Sequence, residues 1–199
     1  MEDTYLTISG ISEGLYKEKG SKFLAFAYPV ADEAEIKEIL EDLKKQYYDA
    51  RHHCYAYILG KNQEQYRAND DGEPNHSAGD PILGQIRSKN LTNTLIVVIR
   101  YFGGTKLGVG GLITAYKTAA SEALESNRII EAIVKKSAVL EFDYLEMNDV
   151  MRLVKDLDLE ITSQDFDNTC KMSLRIRESN YETFRSKIAD LAQAKIVND

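Results

Sequence analysis

The feature that most constrains how this chain folds is a change of hydrophobic rhythm between Leu95 and Ser126. Leu95 to Ile99 is an unbroken apolar run, LIVVI, and it leads straight into RYFGGTKLGVGGL, Arg100 to Leu112. Beyond the glycines, Leu112, Ala115, Tyr116, Ala119, Ala120, Ala123 and Leu124 recur at the spacing of one helix face. This order predicts a buried strand, a tight turn, and a helix from Gly110 onward. The small alanines require that helix to pack closely on a sheet.

Five of the twelve glycines lie between Gly103 and Gly111, so the turn invites comparison with phosphate-binding loops. A Walker A loop needs G-x-x-x-x-G-K-[ST], and no glycine of this segment precedes a lysine. A Rossmann fingerprint begins at Gly108-Val109-Gly110, but Ile113 stands where its third glycine belongs. The underlying physics needs neither motif: glycines admit a ligand to backbone N–H groups, and a helix N-terminus carries partial positive charge. Gly103, Gly104, Gly108, Gly110 and Gly111, with Arg100, Lys106 and Lys117, therefore form a candidate site for an anion, RNA or a partner protein. A second reading stays open, in which the glycines only permit positive φ and close helix–sheet packing.

Charge sharpens the choice. The net formal charge is −7, which as a whole disfavours a generic nucleic-acid binder. Yet Pro81 to Ser121 contains no Asp or Glu while carrying Arg87, Lys89, Arg100, Lys106 and Lys117. From Ser137 onward, eight Lys/Arg face thirteen Asp/Glu. The glycine turn thus lies in the basic part of a segregated chain, as expected of a surface for something anionic.

A second candidate is the polar loop DDGEPNHSAGDP, Asp70 to Pro81. Asp70, Asp71, Glu73 and His76, with His52, make a possible polar site. An EF-hand frame on Gly72 would place Arg67 and Ala78 at ligand positions, which excludes calcium by that route. The histidines and Cys54 match no zinc spacing, and no metal or other cofactor is expected. In a strand, His52 and Cys54 share one face and His53 takes the other. Cys54 has the residue neighbours of a thiolate pair but the setting of a small core residue. Asp-Gly and Glu-Pro are turn formers, so the loop also has a purely structural reading.

Two cysteines, Cys54 and Cys170, are too few for a disulfide scaffold. The acidic start MEDTYLTISG is wrong for a secretory signal, and no run reaches 18 apolar residues, so a cytoplasmic protein without membrane contact is expected. Strands are expected at SKFLAFAYPV, RHHCYAYILG, EQYRAND, TNTLIVVIRYF and RIIEAIVKK, with a helix after Asp32 whose Glu35 completes a capping box. ILGQIRSKN is expected as a short helix. From Ser137 the order is strand, helix, strand, strand, helix, strand, which is the order of a ferredoxin-like domain. Two α+β domains are expected, at 1–135 and 137–199.

H-x-C-x-A-Y at His52–Tyr57, DDGEP at Asp70–Pro74, AGxPIL at Ala78–Leu83 and VVIRYFGGTKLGVGGL at Val97–Leu112 together resemble the IMPACT/YigZ family, the UPF0029 group. KGSKF at Lys19–Phe23 is similar to an early segment of that family. Members commonly read DDGEPSGTAG, whereas this chain has Asn75-His76-Ser77. The resemblance implies a first domain with the left-handed βαβ fold of a ribosomal-protein family. It implies a second domain resembling one of elongation factor G, and a role in translation or its regulation. The leading expectation is a non-enzymatic binding protein whose partner is RNA, a ribosome-associated factor or an acidic protein. The competing one is an enzyme for a small phosphorylated or nucleotide ligand held at the glycine-rich turn, which requires the acidic loop and that turn to share one cleft.

Overall fold

The computed structural model describes residues 3–198. They divide into two compact units, residues 5–132 and residues 133–198, the latter with Asp3 and Thr4. Both mix strands and helices.

The chain enters through β1 (Thr4–Ile8), β2 (Ser12–Glu18), β3 (Ser21–Pro29) and α1 (Glu33–Gln46). It continues with β4 (His52–Leu59), β5 (Gln65–Asn69), α2 (Gly79–Ser88), β6 (Thr94–Tyr101), α3 (Gly108–Glu125) and β7 (Ile129–Ile133). Five strands form one antiparallel sheet in the order β2-β3-β6-β4-β5, and β1 pairs separately with β7. Because β3 and β4 both run antiparallel to β6, they are parallel to each other and joined through α1, a βαβ unit.

Why LIVVI is apolar throughout is now plain: β6 is the central strand and both its faces are covered. Val97 and Ile99 pack with Ile36 and Leu43 of α1, while Ile96 and Val98 pack under α2 and α3. The alanine face of α3 lies close on β2. Ser12 Oγ donates to the Ala123 carbonyl at 2.6 Å, and a Cβ on Gly14 would stand 2.4 Å from Ala123 N.

Helix starts depart from the sequence reading in instructive ways. Asp32 caps α1 by accepting from Glu35 N at 2.9 Å; Glu35 reaches back to Ala31 N, one residue before the expected target. The second helix starts at Gly79, before its apolar period begins, because the Asp70 carboxylate accepts from Ala78 N and Gly79 N. The third starts at Gly108 rather than Gly110, with Gly108 at φ +71° turning the chain into the helix.

The second unit comprises β8 (Lys135–Phe142), α4 (Met147–Asp156), β9 (Glu160–Phe166), β10 (Cys170–Arg177), α5 (Tyr181–Ala189) and β11 (Ala194–Asn198). Its sheet is antiparallel in the order β11-β8-β10-β9, the arrangement of a ferredoxin-like sandwich. Alternate residues Ala138, Leu140 and Phe142 face α4 and α5, meeting Val150, Leu153, Phe184 and Ile188. On the other face Glu141 pairs with Lys195 at 3.0 Å and Lys171 at 3.7 Å, and the bond from Lys195 leads in lowering its pKa. Asp3 accepts both ends of the Arg177 fork at 2.7 Å, which holds its carboxyl well below the usual range.

Candidate functional site

In the first unit a cleft of about 900 Å³ opens between the end of β6, the start of β4, the acidic loop and the N-terminus of α3. Register builds its floor. His52 of β4 and Phe23 of β3 both pair with Arg100 of β6, so the three side chains share one sheet face. Glu73 and Pro74 contribute one wall, and Lys106, Leu107, Gly108, Val109 and Leu112 another. Asp49, Arg51 and Phe102 complete the mouth. The acidic loop and the glycine turn therefore do share a cleft.

Arg100 is not the surface cation that its basic neighbourhood suggests. It is 7% exposed, and its Nη1 donates to Glu73 Oε1 at 2.6 Å, with Glu73 itself only 8% exposed. The same oxygen accepts the Tyr116 hydroxyl at 2.7 Å. Tyr116 in turn stands 3.4 Å from Cys54 Sγ, which lies 3.0 Å from the Asp70 carbonyl. Burial pushes the Cys54 thiol far up, so it is a neutral core group and no thiolate nucleophile. Among the described residues, Arg100 Nε is the one buried side-chain polar atom without a hydrogen-bond partner. An orphaned donor of that kind costs roughly 1–3 kcal/mol.

The acidic loop is held by its own carboxylates. Asp70 accepts from the backbone of His76, Ala78 and Gly79; Asp71 accepts from His53 N at 2.7 Å. Neither Asp70 nor Asp71 lines the cleft. Asp71 acts on it through its carbonyl, which receives His52 Nδ1 at 2.8 Å. A carbonyl only accepts, so the proton sits on Nδ1 and leaves Nε2 available to a ligand. Gly72, at φ +86°, lies beside the same ring, which would stand 3.6 Å from a Cβ built on that glycine. His76 is exposed at φ +64° and pairs with Asp80, away from the cleft lining. Among the described residues no three His, Cys, Asp or Glu side chains gather as a metal set.

The glycines divide by role. A Cβ on Gly103 would stand 1.9 Å from Gly20 C, and Gly103 N donates to Ser21 Oγ, so this glycine clamps the glycine turn onto the β2–β3 turn. Gly104, Gly108 and Gly110 face open space instead. No side chain caps α3 and no acid stands in its first turn, so its leading N–H groups are free for a ligand. Lys106 and Arg51 are exposed at the rim.

Arg87, Lys89, Lys117, Gly104, Gly110 and Gly111 lie outside the lining; Arg87 instead sits 4.6 Å over the Tyr66 ring. Sequence reasoning missed Arg51, Phe102 and Asp49. Phe102 is 59% exposed, with the Arg100 guanidinium 5.6 Å from its ring. No local pattern marks Arg51, since its place at the mouth follows from the pairing of His52 with Arg100.

Every lining residue falls within residues 19–124, which match the Impact N-terminal domain family. A domain of unknown function, DUF1949, matches residues 140–195. The IMPACT family member YvyE of Bacillus subtilis is 30% identical over 98% of this chain and 90% of its own length. An IMPACT family member of Haemophilus influenzae is 32% identical, over 90% of this chain and 88% of its own length. A crystal structure of a hypothetical protein superposes with a TM-score of 0.75 at 25% identity, covering 100% of this chain and 98% of that one.

Proposed function

This chain belongs to the IMPACT family, and from that premise we propose that it is a non-enzymatic binding protein of translation or its regulation, receiving RNA at the first unit's cleft. The tie to translation comes from the family resemblance. One observation carries the choice of ligand: the uncapped start of α3, Lys106 and Arg51 meet on one cleft with an exposed aromatic ring. Phosphates are gripped by such donors, and single-stranded bases by such rings.

The carboxylates of the acidic loop speak for binding over catalysis. Glu73 is occupied by Arg100 and Tyr116, and Asp70 and Asp71 by backbone N–H groups. The acids of the loop are thus spent on structure and leave no idle general base among them.

Co-sedimentation with ribosomes and binding of single-stranded ribosomal RNA across a salt series test this reading. Affinity is expected to fall with salt, each phosphate contact contributing about −0.7 to the log–log slope. Reversing the two rim charges with Arg51→Glu and Lys106→Glu should weaken binding at least about tenfold and flatten that slope. Unaltered binding by the double variant refutes the reading.

A further inference from the structure

We infer that the cleft is built for a nucleotide carrying a terminal phosphate monoester, either free or as the phosphorylated end of an RNA strand. In naming the ligand it rests on the RNA reading above. The argument begins with the count of donors. The first four N–H groups of an α-helix have no partner within the helix, and no side chain caps them in α3. Gly108, which lines the cleft, leaves its own group uncovered, because a Cβ there would meet nothing within 4 Å. Lys106 adds an exposed ammonium directly before the helix and Arg51 a guanidinium across the mouth.

A monoester presents three free oxygens and a charge of about −1.5 to −2 at neutral pH, whereas an internal diester presents two oxygens and a single charge. The donor-rich helix start matches the monoester better.

Arg100 gives an independent pointer. Its side chain is more than nine-tenths buried, it lines the cleft floor, and its Nε lacks any partner although Nη1 is satisfied by Glu73. An unmet donor calls for an explanation, and a ligand drawn down onto the Arg100 floor would supply one, although Nε itself lies beneath the surface. With its proton on Nδ1, His52 presents Nε2 from the same floor as an acceptor, suited to a ribose hydroxyl or a base N–H and not to a phosphate oxygen.

Apart from Asp49, which accepts from the Tyr101 hydroxyl at 2.8 Å, the rest of the cleft is largely apolar and suits the other half of a nucleotide. Phe102 has the Arg100 guanidinium 5.6 Å from its ring and is 59% exposed, and Val109, 52% exposed, lines the same mouth. A base placed on Phe102 would gain stacking that tolerates any base identity. A cleft of about 900 Å³ is of small-molecule size and admits a strand end more readily than a duplex.

The test uses the full chain and one oligoribonucleotide in three forms: 5′-phosphorylated, 3′-phosphorylated and unphosphorylated, each labelled for anisotropy. Adenosine monophosphate, adenosine and inorganic phosphate serve as competitors. At least one phosphorylated form should bind about tenfold tighter than the unphosphorylated strand, with the monophosphate competing and adenosine failing. Phe102→Ala should abolish the advantage of the monophosphate over inorganic phosphate, and Lys106→Glu should weaken both. Both positions are exposed, and circular dichroism with a melting curve confirms that the variants fold.

Equal binding of all three strands without competition by the monophosphate overturns the inference and leaves RNA binding intact. Monophosphate binding that Lys106→Glu abolishes, in a chain that takes no RNA, sustains the inference and sinks the RNA reading. Binding of neither sinks both.

Discussion

Replacing the buried pair Arg100–Glu73 offers the most demanding test of the site's architecture. Both side chains are almost wholly buried, at 8% and 4% exposure, and they meet at 2.6 Å. Changing Glu73→Leu leaves a guanidinium in the floor with Nη1 newly orphaned beside the already unpartnered Nε. Changing Arg100→Met leaves a buried carboxylate supported by the Tyr116 hydroxyl alone. Stranding one member of a buried ion pair costs about 3–5 kcal/mol, so each single variant should lose that much and melt about 6–20 °C lower.

The double variant removes both charges and places two apolar chains of similar size in the gap. Tyr116 still loses its acceptor, at a cost of about 1–3 kcal/mol, so the pair of changes should sit only that far below wild type. The two mutations would then couple by at least about 3 kcal/mol. Urea unfolding followed by far-ultraviolet circular dichroism, with calorimetry to resolve the two units, measures all four corners of the cycle. Additive losses, with the double variant as unstable as the two singles summed, would refute the claim that these charges exist for one another. Loss of RNA binding in a stable double variant would separate the pair's role at the site from its role in the fold.

Three further outcomes follow from the geometry. Gly103→Ala drives a Cβ into the Gly20 and Ser21 backbone and should cost about 1–3 kcal/mol or more, whereas Gly104→Ala meets open space and bears only the strain of φ +91°, near 1 kcal/mol; paired melting curves compare them. Burial raises the pKa of both Cys54 and Cys170, so neither thiol should react with a disulfide reagent at neutral pH until urea unfolds the chain, and prompt labelling of the native protein contradicts this. Asp3 has its folded pKa depressed, chiefly by the bond from Arg177, so its contribution is present above the unfolded pKa near 3.9 and is lost as pH falls through that value toward the lower folded one. Asp3→Asn should therefore lower stability at pH 7 and flatten its decline between about pH 5 and pH 3, read from urea midpoints against pH.

How much of this was legible in the sequence depends on the distance over which each cause acts. The Asp32 cap of α1, the alanine face of α3 and the strand–helix order of the second unit are local, and all were readable, whereas the return bond of Glu35 falls on Ala31 N, one residue off the capping box. The early start of α2 was not, because its cap is the Asp70 carboxylate, nine residues before Gly79. Arg100 read as a surface cation since its partner Glu73 lies 27 residues earlier, across a loop. The cleft itself is a product of register: once His52 pairs with Arg100, Arg51 and Asp49 are carried to its mouth, and no periodicity within either segment reveals that.

The glycine-rich turn also shows why its letters serve two masters. Gly103 and Gly20 meet backbone to backbone, so KGSKF and RYFGG are constrained together by contact. Past that clamp the constraint changes sign: Gly108 and Gly110 have room for a side chain, so packing does not explain their lack of one. Gly108 is accounted for by its φ of +71°, which turns the chain into α3. Gly110 has neither excuse, and an alanine there would favour the helix by up to about 1 kcal/mol. Gly110 lies outside the cleft lining, so the comparison that matters is Gly110→Ala against Gly108→Ala: the first should raise stability and the second, at positive φ, lower it, as paired melting curves would show.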